Sequence, residues 1–393
     1  MQKVSAAARL RALVASSACL AAVVVPVAVF GGPETLRTDM PPASERQGCN
    51  HPYRGDAPAG WRNVLLNGEP KSGTTWLEVV VHAVAKAGCS DPANQCTYDK
   101  DCRDFSLVPT ESSTAAAVRF TPYGKHFISP SCDWFQQGFA NTMSRLHKPA
   151  YEDAAVTFAK KCGYKGTLSL KMSSSDRARL GEVLEQCART AYNSTATSGA
   201  VQLSEGCNDL RIDVGKKKRN QLVREFDTVL LVLRDPREVA ISSYFHVRKL
   251  ETAENIERNV RIILPGITMW IAMRYHLAVL GGEGFQFLYY NAARTTLEPY
   301  KVIAEALGLN MSYATLRNVR TENNAENMRS MEQHGILPGH GAMSHRAKVR
   351  SAGTKTIADY GLSDEFLDEM EQFVMEMLPR PLLKHMASMM VTF

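Results

Sequence analysis

Glu69-Pro70-Lys71-Ser72-Gly73-Thr74-Thr75-Trp76 gathers one cation, three hydroxyls and a glycine into a short stretch suited to holding an anion. A strand-to-helix turn presents unpaired backbone N–H groups and the positive end of a helix dipole, which together attract phosphate. Gly73 lets the backbone approach closely, Ser72, Thr74 and Thr75 add donors, and Lys71 adds charge. A nucleotide kinase loop reads G-x-x-x-x-G-K-[ST]. Gly68 and Gly73 have that spacing here, but Thr74 stands in the lysine position and Lys71 lies inside the loop. This is a phosphate loop with a displaced lysine, which argues against ordinary ATP hydrolysis. A second stretch, Leu233-Arg234-Asp235-Pro236-Arg237-Glu238-Val239-Ala240-Ile241-Ser242-Ser243-Tyr244-Phe245-His246, again passes from a strand end into a helix. Pro236 suits a first helical position. Arg234 and Ser242 are placed to converge on one phosphate, the arginine through its fork and the serine through its hydroxyl.

The elements around these stretches follow from hydrophobic pattern. Val64-Leu65-Leu66 reads as a strand, and Trp76, Leu77, Val80, Val81 and Val84 mark a helix with Gly88 as its stop. Thr228–Leu233 is a continuous apolar run, as a parallel strand buried on both faces requires. Phe285–Tyr290 reads as a further strand, followed by a helix over 297–307 and a last one over 363–378. In that last helix Phe366, Leu367, Met370, Phe373, Val374, Met377 and Leu378 share one face. Strands alternating with helices predict an α/β fold: a P-loop-like three-layer arrangement around a central parallel sheet, with a disulfide-rich insertion over about 89–222.

PKSGTTW followed by LRDPREVAISSYFH resembles the sulfotransferase superfamily, which uses 3′-phosphoadenosine 5′-phosphosulfate (PAPS). The resemblance implies that Lys71, Ser72, Gly73, Thr74, Thr75 and Trp76 hold the 5′-phosphosulfate end. Arg234 and Ser242, eight residues apart as in the family, would hold the 3′-phosphate. FLYYNAARTTLEPYKVIAEALGL resembles the family's YEDL-type turn and following helix, which adds Tyr290 and, upstream, Trp270. Asn291 and Ala292 replace the usual acid there. Val349-Arg350-Ser351-Ala352-Gly353-Thr354 resembles the Arg-x-Gly segment that closes over the 3′-phosphate, with one extra residue, so Arg350 and Gly353 join the set. The resemblance covers 61–88 and 226–310 well, 346–378 loosely, and 89–222 in no specific way.

Sulfuryl transfer is an in-line displacement in which positioning and charge stabilisation dominate. Lys71 would neutralise charge on the leaving bridging oxygen, and no metal is expected. The acceptor hydroxyl needs a general base. Cytosolic members of the family take it from a Lys-Thr-His strand, and lumenal members often use a Glu. The nearest strand-like match, Leu168-Ser169-Leu170-Lys171-Met172-Ser173, has Ser173 in the His place. His126, in an aromatic loop-like setting, is the candidate base, with His147 and Asp104 as alternatives.

The chain has 393 residues, a net charge of +6 and 45% apolar residues, so it can bury a core and is not disordered throughout. The charge suits an anionic ligand and is too dispersed to argue for nucleic acid. Nine cysteines are present: Cys19 lies in an apolar run, and the other eight (Cys49, Cys89, Cys96, Cys102, Cys132, Cys162, Cys187, Cys207) all precede residue 208. An even number crowded into one half points to disulfides in an oxidising compartment, with connectivity left open. Residues 1–11 carry Lys3, Arg9 and Arg11 as a cytosolic tail, and 12–30 form an uncharged signal-anchor of transmembrane length. Residues 31–60 read as a stem and 61–393 as the sulfotransferase domain. A cleaved signal peptide is the alternative, giving a secreted rather than a Golgi type II membrane protein. The sequons at Asn193 and Asn310 agree with either address.

The expected activity is sulfuryl transfer from PAPS to a hydroxyl acceptor, foremost a glycan, with protein tyrosine or a small molecule as alternatives. Two competing readings are a P-loop kinase-type nucleotide-dependent transferase and a non-catalytic descendant that binds a nucleotide or a sulfated glycan.

Overall fold

The computed structural model describes residues 60–69, 72–101, 104–111, 113, 115–121, 155–160, 162–193, 201–204, 223–247, 252–333 and 357–389. The proposed tail and anchor and the stem through residue 59 lie outside these, as do Lys71, His126, His147, Arg350 and Gly353.

The chain is a mixed α/β protein built on a six-stranded, mostly parallel sheet. In chain order the strands are β1 (Arg62–Gly68), β2 (Cys96–Asp101), β3 (Asp104–Pro109), β4 (Val118–Thr121), β5 (Val201–Ser204), β6 (Val223–Phe226), β7 (Thr228–Leu233) and β8 (Phe285–Tyr289). The sheet runs β2-β3-β4-β1-β7-β8, while β5 and β6 form a separate antiparallel pair. β4, β1, β7 and β8 are mutually parallel, and β2 and β3 extend the β4 side as an antiparallel hairpin.

The central strands are buried on both faces, which is why they read as apolar runs without alternation. On β1 and β7, Leu65, Val229, Leu231 and Leu233 face one core, while Val64, Leu66, Leu230 and Val232 face the other. The second core is closed by α1 (Thr74–Cys89), α6 (Glu298–Ala306) and α7 (Tyr313–Glu322). The first takes α2 (Ser174–Asn193), α3 (Pro236–Val247), α4 (Ala253–Gly281), α9 (Asp364–Met377) and α10 (Arg380–Met389). Two short helices complete the set, α5 (Tyr290–Thr295) and α8 (Ala325–Gln333). α4 belongs to a stretch, Ala253–Gly284, long and apolar enough to cross a membrane, but 83% of its most apolar window is buried inside the protein. It is the central core helix, and its Trp270 packs against Phe158 at 4.4 Å.

Two local expectations change. Gly88 does not stop α1, which runs on to Cys89. The glycine is there because a Cβ would stand 2.6 Å from the Leu309 side chain. Leu168–Ser173 is not a strand but the turn entering α2, where the Ser173 hydroxyl accepts from Asp176 N at 3.1 Å.

Disulfides join Cys89 to Cys96, tying the end of α1 to β2, and Cys162 to Cys187, tying the helical segment 155–160 to α2. Cys49, Cys102, Cys132 and Cys207 lie outside the described residues.

Candidate nucleotide site

Strand register brings the two motifs to one edge of the sheet. Gly68 pairs with Val232, and Leu233 pairs with Tyr289, so β1, β7 and β8 end level with one another. The chain that leaves each strand there carries Ser72 and Gly73, Arg234, and Tyr290 respectively. Ligands of open α/β sheets bind at this carboxyl edge. Thr121 of β4 pairs with Leu65, so β4 runs toward the same edge and ends five residues before His126 in sequence. Asp104 begins β3 on the antiparallel hairpin.

The loop after β1 turns on a hydrogen bond from Ser72 N to Glu69 O, 3.0 Å. Gly73 then serves as N-cap of α1 at φ 98°, a left-handed conformation that glycine adopts without strain. Having no side chain, it supplies no capping oxygen, and the first turn of α1 carries no acid. The Ser72 hydroxyl is 1% exposed and has no hydrogen-bond partner. A 16-residue helix thus starts with its amides uncapped by any side chain, beside a buried donor, as an anion from outside the chain requires. Thr74 and Thr75 are half-buried in that first turn.

Gly73 has a second reason to be glycine. A Cβ there would lie 2.0 Å from the Tyr290 ring. Trp76 meets the same ring edge-on, centroids 5.0 Å apart, while its Nε1 donates to the Asn323 carbonyl at 2.8 Å and anchors α1 to α7.

Tyr290 also meets Arg234. Its guanidinium carbon lies 4.5 Å from the ring centroid, a cation–π distance. Local sequence explains the placement. Asp235 caps α3 by accepting from Arg237 N at 2.8 Å, Pro236 opens the helix, and Arg234 is left at the strand end. Arg237 folds back on Asp235, Nη2 to Oδ2 2.7 Å, so the buried Asp235 is neutralised locally. Arg234 Nε donates to Glu238 Oε2 at 2.7 Å. Burial opposes the Arg234 charge, but Tyr290, Glu238 and Asp235 outweigh it, and its pKa rises. Ser242, half-buried, lies one turn beyond Glu238 on the same face of α3. Where the family resemblance leads one to expect an acid, Asn291 stands; its Nδ2 lies 3.5 Å from Glu238 Oε1, and its Oδ1 is buried without a partner.

One charged pair escaped the motif reading. Glu69, 1% exposed, meets the fully buried Arg274 of α4 through Oε2, at 3.3 Å from Nε and 3.2 Å from Nη2. Its Oε1 is buried without a partner. Burial raises the Glu69 carboxyl to about 7, against the lowering pull of Arg274. Nothing in sequence marks this contact, because the partners are 205 positions apart.

Comparison with known proteins gives no match, either to a protein family or to a curated protein sequence.

Proposed function

We propose that this chain is a PAPS-dependent sulfotransferase with a P-loop-like fold, acting on a hydroxyl acceptor, foremost a glycan. The supporting observation is the shared contact of the Tyr290 ring with Gly73 and with Arg234. It unites, at one sheet edge, a phosphate loop with a displaced lysine and an arginine 161 positions later, both in motifs that resemble the family's nucleotide-binding stretches. The uncapped α1 N-terminus and the unpartnered Ser72 hydroxyl fit a 5′-phosphate, and the charged, ring-backed Arg234 with Ser242 fits a 3′-phosphate.

PAPS would supply an activated sulfuryl group on the 5′-phosphate. In-line displacement forms a bond from the acceptor oxygen to sulfur and breaks the sulfur–oxygen bond to that phosphate. Residues 72–75 hold the phosphate by backbone amides and hydroxyls, and Lys71 offsets the charge gathering on the departing oxygen. The acceptor proton passes to a general base, for which His126, following β4 in sequence, is our candidate. Arg234 and Ser242 contribute binding remote from the reacting centre, which fixes the nucleotide's direction.

The disulfides support an oxidising compartment. Together with the apolar 12–30 segment they favour a Golgi type II membrane protein with a lumenal domain. Asn310 of the second sequon is exposed, and its backbone N–H donates to Asn94 Oδ1 at 2.7 Å.

The test is transfer of labelled sulfate from PAPS to a panel of glycans, tyrosine peptides and small alcohols by the full chain. Glycan labelling that Lys71→Ala and Arg234→Ala abolish, with folding intact, is the expected result. Failure to bind PAPS while binding ATP would sink the proposal.

A further inference from the structure

The buried Glu69–Arg274 pair lies at the root of the loop that the proposed function assigns to an anion. A carboxylate there is unusual, because a negative charge beside an anion site opposes binding. Its setting is also asymmetric. One oxygen is tied to Arg274, and the other is sealed from water with no partner. The Glu69 backbone closes the loop through the bond from Ser72 N, so the carboxyl is attached directly to the turn that precedes α1. Arg274, from α4, is the charged group acting on Glu69 among the described residues. At the neighbouring strand end, Arg234 is paired with Glu238, and Arg237 with Asp235 and Glu371.

Two charge states follow. With Glu69 ionised, the pair is neutral overall and the loop feels only its residual dipole. With Glu69 protonated, Arg274 keeps its charge and the local charge beside the anion site rises by one unit. We infer that Glu69 is an affinity-setting residue of the nucleotide loop, binding of the anionic nucleotide being coupled to uptake of a proton by its carboxyl. This rests on the proposed function for the ligand's identity. Burial already lifts Glu69 to about 7, so the coupling operates in the range between a neutral and a mildly acidic compartment. One unit of charge at about 10 Å in a partly buried setting corresponds to about a three- to tenfold change in affinity.

Linkage fixes the direction. A bound anion stabilises the protonated form, so affinity is highest below the Glu69 titration and falls as pH rises through it.

The experiment is calorimetric titration of the full chain with adenosine 3′,5′-bisphosphate, wild type against E69Q, at about pH 5.5 and about pH 8. Glutamine keeps the carbonyl that faces Arg274 but carries no charge. The nucleotide's own phosphate titration is common to both proteins and cancels in their ratio. Equal affinities at the lower pH, and about three- to tenfold tighter binding by E69Q at the higher pH, are expected. E69Q binding more weakly at pH 8, or a ratio that does not change with pH, overturns the inference, since a carboxylate that merely braced the loop would behave that way. Should E69Q fail to fold, the wild type alone decides. Titrated at about pH 7.5 in buffers of different ionisation enthalpy, it takes up about a quarter to a half of a proton on binding, and no uptake overturns the inference. No nucleotide binding by the wild type at either pH would remove both the inference and the sulfotransferase reading. Binding with a constant ratio would remove the inference alone.

Discussion

Arg234 and Tyr290 follow adjacent parallel strands, and the guanidinium carbon of the one rests 4.5 Å from the ring centroid of the other. The same ring closes on Gly73, where a Cβ would lie 2.0 Å from it, so Tyr290 touches both motifs.

Gly73→Ala should therefore damage the site and the fold together. The left-handed φ of 98° disfavours any Cβ, and the ring lies 2.0 Å from where that Cβ would stand. A destabilisation of about 2 kcal/mol or more is expected, read by thermal or denaturant unfolding. Loss of adenosine 3′,5′-bisphosphate binding should accompany it. Wild-type stability in the alanine variant would mean that the Tyr290 ring yields to the new methyl without cost.

Arg234→Ala tests the 3′-phosphate assignment through discrimination between ligands. A charge-assisted bidentate contact is worth roughly 1.5–3 kcal/mol, or about 10- to 100-fold. Wild type should prefer adenosine 3′,5′-bisphosphate over adenosine 5′-monophosphate by at least that factor, and the variant should lose the preference while binding the monophosphate unchanged. Equal loss toward both ligands would place Arg234 elsewhere in the site. Arg234→Lys should recover little, because an ammonium neither stacks flat on Tyr290 nor reaches Glu238 and a phosphate with one fork.

What sequence disclosed and what it hid divide along physical lines. β1 and β7 were legible because strands covered on both faces must be apolar, β8 because its run is rich in aromatics, and the 363–378 pattern became α9 with Phe366, Met370 and Phe373 fully buried. β2 was not legible. Cys96-Thr97-Tyr98-Asp99-Lys100-Asp101 is an edge strand rich in charge, and β4 has only four residues. Leu168, Leu170 and Met172 alternate as a strand would and are all buried. Arg177 holds them in a turn by donating from Nη1 to the carbonyls of Leu170 and Met172, at 3.3 and 2.6 Å. The turn between β1 and α1 was legible because its glycine and hydroxyl residues are contiguous in sequence. The Glu69–Arg274 contact was not, because burial of a carboxylate is a property of α4's approach and not of its neighbours in sequence.

Glu69 also makes stability depend on pH in a direction opposite to most carboxylates. Its folded-state value near 7 exceeds the ordinary 4.5, so the folded chain holds the proton more tightly than the unfolded one. The resulting stabilisation is complete below about 4.5 and is lost as pH rises through about 7. The shift corresponds to roughly 3 kcal/mol across that window. Other carboxylates, Glu185 and Glu376 among them, are lowered by arginine hydrogen bonds and act the opposite way, so the measurement is a difference. Denaturant unfolding of wild type minus E69Q, followed from about pH 4.5 to about pH 8, should decline by that amount. A flat difference would show that Arg274 keeps Glu69 ionised throughout.

The two disulfides should differ in both size of effect and consequence. Cys162 and Cys187 are 25 positions apart, Cys89 and Cys96 only 7, and a longer loop restricts the unfolded chain more. Removing the first pair as C162A/C187A should cost about 3 kcal/mol, and the second as C89A/C96A about 2 kcal/mol. Position sharpens the contrast. Cys187 is buried in the core beneath α4, the helix that also carries Arg274. Cys89 closes the far end of α1, about 24 Å along the helix from the phosphate loop. The longer-loop variant should therefore weaken nucleotide binding as well as stability, through a loosened α4 and its hold on Glu69. The shorter-loop variant should unfold more readily yet bind adenosine 3′,5′-bisphosphate like wild type. Equal binding by both variants would show that the α4 side of the core does not reach the loop through Glu69 and Arg274.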